Sequence, residues 1–215
     1  MQQTADKELS DYLSTIEKYY PLELIPDGIS LKLTHEEFLA LFPAQLKRAW
    51  KEAEAAAGEW TKLVERIKEK SWIQFIRNHE LMTRQAYKLI IGIKQENLEP
   101  GCSIVVFLSF IGKKIGLLYV DLNAPLSNQR PVYDYSRNPN RARPITYASY
   151  FPFTKSHELY ISELLTEITS LFPEFTLFDN QLADYKVNTI QTEEDSYLNI
   201  DLFMVFFERG LPAGV

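Results

Sequence analysis

The chain has 215 residues, of which 46% are hydrophobic and 13% aromatic, and a net charge of −6. That is enough apolar material for a sizeable core, so a disordered chain is excluded. The single cysteine, Cys102, excludes a disulfide framework and a cysteine-rich metal site.

The charge is unevenly spread. Residues 1–123 carry 16 basic and 17 acidic side chains, residues 124–155 carry 5 and 1, and residues 156–215 carry 2 and 11. A balanced first half is followed by a basic segment and then an acidic end. No basic start precedes an apolar segment and no apolar run is long enough to span a bilayer, so a cytoplasmic, membrane-free protein is expected. The net acidity argues against nucleic acid as a partner.

In chain order, Leu9, Tyr12, Leu13, Ile16 and Tyr20 recur at three- and four-residue spacing and predict a helix over 5–20, ended by Pro21. Residues 22–33 read as a connector. Thr34 and Glu37 form a capping box that opens a short helix. From Ala44, the stripe Leu46, Trp50, Ala53, Ala57, Trp60, Val64 and Ile67 predicts one long amphipathic helix. A helical hairpin or bundle suits it better than a coiled-coil dimer, which needs more heptads. Ser71 and Gln74 suggest a second capping box and a helix over 72–97, stopped at Glu99-Pro100-Gly101.

Residues 103–123 are the most apolar and β-prone run. They predict a hairpin turning at Gly112-Lys113, with Phe110 opposite Ile115, Leu108 opposite Leu117 and Val106 opposite Tyr119 on one face, and Phe107 opposite Leu118 and Val105 opposite Val120 on the other. Both faces are apolar. Such a hairpin belongs at the centre of a sheet that is covered on both sides. Residues 124–155 form a proline-rich irregular segment with short strands near 132–135 and 145–148. Ser156 opens a helix with an apolar face of Ile161, Leu164, Leu165, Ile168 and Leu171, closed by Pro173. Strand-like runs follow at 175–178, 185–190 and 197–208. The sum is an α+β fold: a helical amino-terminal half over 1–98 packed with a mostly antiparallel sheet plus helix over 99–215, as two subdomains or one compact domain.

Catalytic chemistry finds little support. His35, His79 and His157 each precede a glutamate, but none has a second histidine four residues on, as a zinc-protease helix requires. No phosphate-cradling glycine loop or nucleophile elbow occurs. Glu174, Asp184 and Lys186 only faintly match the acid, acid-x-Lys arrangement of metal-dependent nucleases. No catalytic residue, metal or cofactor is therefore assigned.

Two features can carry binding. The acidic end offers Asp184, Glu193, Glu194, Asp195 and Asp201 to a basic protein, because complementary charge speeds and selects association. The expected function is a non-enzymatic protein-binding module, of the type of immunity proteins that neutralise basic toxins. The alternative is a protein or enzyme that binds an anionic small molecule or nucleic acid. It would use Arg130, Arg137, Arg141 and Arg143 as a clamp and Tyr133 or Tyr150 for stacking. A third reading is a homodimeric scaffold joined through Trp50 and Trp60.

Overall fold

The structure, a computed structural model, describes residues 2–19, 43–83, 86–94, 102–121, 130–133, 144–152, 155–187 and 200–207. Three helices come first: α1 (Gln2–Tyr19), α2 (Ala44–Ala55) and α3 (Ala57–Lys68). Then come β1 (Ile73–Thr83), β2 (Ala86–Ile93), β3 (Ser103–Ser109), β4 (Lys114–Asp121), β5 (Arg130–Tyr133) and β6 (Pro144–Ser149). The described chain continues with α4 (Lys155–Leu171), β7 (Thr176–Leu177), a 3-10 turn at Asn180–Leu182, β8 (Lys186–Val187), β9 (Ile200–Asp201) and α5 (Leu202–Phe207). The fold is α+β, with a mostly antiparallel sheet.

The main sheet has the order β1-β2-β3-β4-β6-β5, and β7 lies parallel to the start of β4. The hairpin of β3 and β4 sits inside the sheet, and both its faces are covered. On one side Ile104, Val106, Leu108, Leu117 and Tyr119 meet Trp60, Leu63 and Ile67 of α3 and Leu164 and Ile168 of α4. On the other, Val105 and Phe107 meet Tyr12 and Ile16 of α1 and Leu202, Phe203 and Phe206 of α5. Helix α2 serves both cores, Ala49 and Ala53 in the first and Leu46 and Trp50 in the second. Removal of each such side chain from water stabilises the fold by roughly 1.5–3 kcal/mol, so these two layers hold the sheet in place.

The hairpin keeps the expected faces but not the expected register. Leu108 pairs with Ile115 and Val106 with Leu117, a shift of two residues from the sequence reading. An even shift leaves every side chain on its own face. The cause lies in the turn, which holds four residues. Phe110 and Ile111 fold inward into the two cores, leaving Gly112 (φ 62°) and Lys113 (φ 51°) to reverse the chain in the left-handed region.

Three expectations are overturned. The helix expected over 72–97 is the β1–β2 hairpin, with Tyr87, Leu89, Ile91 and Ile93 buried alternately against the first core. Period-two burial and β-branched residues outweigh the apparent capping box at Ser71. Strand β2 also pairs with β3, so the main sheet continues across residue 98. Of the strand expected over 197–208, the described residues hold only the short β9 and then the helix α5, since Asp201 caps the helix by accepting the Met204 N–H at 2.9 Å. Finally, the stripe from Leu46 to Ile67 does not run along one helix. The chain breaks at Ala56 (φ −82°, ψ 1°) and Ala57 faces solvent.

The helices α1 and α4 lie where the sequence periodicity placed them. The capping box at Thr34 and the connector before it fall outside the described residues. Among the described residues no helix is long and apolar enough to cross a membrane.

Candidate functional site

Much of the acidic carboxy-terminal charge is used within the chain. Lys70, at the end of α3, donates to Glu163 at 2.8 Å and to Glu167 at 2.6 Å on α4, and Trp72 Nε1 donates to Glu163 at 2.8 Å. These hydrogen bonds, Lys70's first and Trp72's second, hold the Glu163 carboxyl below its usual range. The same pairs raise Lys70 above its ordinary value. Glu174 lies 3.5 Å from Lys113 Nζ. Asp201 is 1% exposed, holds the start of α5 and stands 4.0 Å from Lys186 Nζ. A buried capping carboxylate cannot meet a partner, so Asp201 leaves the candidate surface.

Asp184 remains exposed, beside the exposed ring of Tyr185. Glu193, Glu194 and Asp195 lie outside the described residues. The sequence reading missed a contribution from the other end of the chain. The Tyr12 hydroxyl of α1 accepts the Asp179 N–H at 2.9 Å, across 167 residues of sequence, and the Tyr12 ring stacks on Phe178 with centroids 4.9 Å apart. Through this contact the exposed Glu8 and Asp179 both act on Tyr12, and Glu8 and the exposed Asp11 both act on Lys114. Burial, reinforced by the charges of Glu8 and Asp179, raises the Tyr12 hydroxyl against the lowering effect of the Asp179 N–H.

A cation, Lys114, sits beside Tyr12. Lys114 Nζ lies 4.9 Å over the Tyr12 ring and 3.0 Å from Thr176 Oγ1. Desolvation lowers its pKa, while Glu8 and Asp11 act in the opposite direction. Four carboxylates, those of Glu8, Asp11, Asp179 and Asp184, thus belong to α1 and to the stretch that docks on it.

The alternative anion site gains no support from its described members. Tyr150 is buried, with its ring 4.9 Å from that of Phe203, so it is packed rather than presented for stacking. Arg130 and Tyr133 begin and end β5, opposite Ala148 and Pro144 of β6. Arg137, Arg141 and Arg143 lie outside the described residues. Trp50 and Trp60, expected as a dimer stripe, are 7% and 1% exposed within the chain's own cores.

Beside Tyr150 a cleft of about 290 Å³ opens between β4, the start of α4 and the turn after β7. Its walls include Tyr119, Tyr150, Phe151 and Ile161, with Leu177, Asp179 and Asn180 on the opposite side. The sheet itself explains the opening. Strand β7 pairs with residues 114–115 of β4 and β6 with residues 119–121, so neither strand reaches the backbone between them. The Asn180 amide fills that gap, with Nδ2 donating to the carbonyls of Leu117 and Tyr150. Since carbonyls can only accept, this fixes the orientation of the amide. Its oxygen is buried without a hydrogen-bond partner. Burial also pushes the Tyr119 hydroxyl up to about 12, so it stays protonated across the physiological range.

Cys102 is buried at the start of β3, and its carbonyl accepts the Ile93 N–H. His157 is buried in the first turn of α4, 5.4 Å from the Tyr119 ring. Glu174, Asp184 and Lys186 form no metal site: among the described residues no group of three or more histidine, cysteine or acidic side chains could hold an ion.

No family model, curated protein or solved structure matches the chain.

Proposed function

We propose that the protein is a non-enzymatic binding module that receives a basic protein on an acidic surface formed by α1 and the segment 174–185. The observation that carries this reading is the docking of α1 through Tyr12 onto Asp179. It adds the exposed Glu8 and Asp11 to Asp179 and the exposed Asp184. Exposed Tyr185 and Leu177 supply apolar area beside these charges, the mixture that lets a charged surface hold a partner as well as attract it. A basic toxin neutralised by such a surface is the kind of partner that fits.

The test reverses Glu8, Asp11 and Asp184 to lysine together and, in a second variant, Glu193, Glu194 and Asp195. Retention of a basic protein at low salt should fall at least tenfold with the first set. Full retention by both variants would remove the acidic surface from the explanation. The second variant alone losing retention would move the contact to residues 193–195.

A further inference from the structure

The cleft beside Asn180 joins a concave site with exposed apolar side chains at its mouth. Phe151 and Leu177, 51% and 49% exposed, are two of the five exposed large apolar side chains among the described residues, and both line it. Large apolar groups held exposed at the mouth of a concave site mark a place where something is received. The rim also carries a carboxylate. Asp179 Oδ1 accepts the Gln181 N–H at 2.9 Å, which fixes its side chain at the edge of the cleft. Aromatic walls with an acidic rim suit a side chain that has an apolar stem and a cationic head. Arginine is the best match, because its flat guanidinium stacks on aromatic faces and pairs with carboxylate.

We propose that this cleft receives an arginine side chain of the basic partner. The inference rests on the reading of the protein as a module for a basic protein, and it names the anchor of that contact. Phe151, half exposed, offers the face on which the guanidinium stacks, while buried Tyr150 and Tyr119, the latter protonated throughout, line the rest of the cleft. Asp179 provides the charge. Glu8, which like Asp179 acts on the Tyr12 hydroxyl, adds long-range attraction nearby, so steering and anchoring are divided between neighbouring groups.

The full chain, labelled with nitrogen-15, is titrated with blocked arginine (N-acetyl-arginine-N-methylamide) and, separately, with blocked norleucine as an uncharged probe of similar length. A ligand of this size should bind with a Kd on the order of 1 mM, within reach of chemical-shift mapping. Arginine should shift the amides of residues 117–119, 150–151 and 177–181 in a saturable way, and norleucine should bind at least fivefold more weakly. Asp179→Asn keeps an oxygen to cap Gln181 and removes only the charge, so it should abolish that preference without unfolding the turn. Equal shifts from both probes, or none in the cleft from either, would overturn the proposal. The two readings can fail separately. Arginine binding with no basic protein retained would leave the cleft and remove the partner, while retention sensitive to Glu8, Asp11 and Asp184 but not to Asp179→Asn would do the reverse.

Discussion

Alanine at Gly92 and alanine at Gly116 test whether the two-sided core is as unequal in freedom as its burial implies. A Cβ at Gly92, in β2, would lie 2.2 Å from Cε1 of Phe75, and one at Gly116, in β4, would lie 2.8 Å from Cε2 and Cζ of Phe207. By distance alone Gly92→Ala is the worse change. The neighbours reverse that order. Phe75 is 41% exposed and can swing into water, giving up little beyond its contact with the Arg77 guanidinium 5.5 Å from the ring centroid. Phe207 is 2% exposed and is wedged against Phe203, Phe178 and Phe107, with centroids 4.6, 5.4 and 5.7 Å away. Overpacking of a closed core costs about 1–3 kcal/mol, while replacing glycine by alanine returns about 0.4–1 kcal/mol through the unfolded chain at either site. Gly116→Ala should therefore destabilise by about 1–2 kcal/mol, which for a chain of this size is a Tm drop of about 2–8 °C. Gly92→Ala should stay within about 1 kcal/mol of the parent. Urea unfolding with an unchanged m-value reads both. A larger loss from Gly92→Ala than from Gly116→Ala would refute the reasoning.

Three further outcomes follow from the same structure. Asn180→Ala removes the donor shared by the Leu117 and Tyr150 carbonyls and should cost about 1–3 kcal/mol in chemical denaturation; a neutral effect would mean that water replaces the amide at no loss. Glu163 is depressed in the folded state, so its contribution is present above its unfolded value near 4.5 and is lost as pH falls through the lower folded value. The stability difference between the parent and Glu163→Gln should then shrink between about pH 7 and about pH 3, and growth of that difference on acidification would contradict the pairing with Lys70. Lys70 is raised, so its share persists below 10.5 and is lost only above it. Asp201→Ala should cost about 1–2 kcal/mol by uncapping α5, whereas Asp201→Asn, which keeps an acceptor for Met204, should cost less; equal losses would assign the effect to charge.

The parts of the fold legible in the sequence were those with a clear burial pattern. An apolar hairpin with two greasy faces required two covering layers, and it has them. Its register was missed because Phe110 and Ile111 were read as strand, although burial draws them into the turn. The β1–β2 hairpin was misread because Ser71 and Gln74 imitate a helix cap, while the strand signal of Leu89, Ile90, Ile91 and Ile93 is short. Helix α5 is six consecutive apolar residues, which hide any period; only Asp201, three residues before Met204, marks its start. The surface was less legible than the fold. Charge counts revealed an acidic end, but not that Lys70 and Lys113 from the first half lie against Glu163, Glu167 and Glu174. Nor did they reveal Glu8 and Asp11, because only tertiary docking brings α1 to Asp179.

The most direct test of an acidic receiving surface is affinity capture by the full chain from a lysate of its source cells, side by side with the Glu8→Lys, Asp11→Lys, Asp184→Lys variant. Material bound at low salt is released by a salt step and weighed by mass spectrometry. A stoichiometric basic protein, released by salt from the parent and missing from the variant, is the predicted result. The same protein held equally by both, or no basic protein on either, would contradict it.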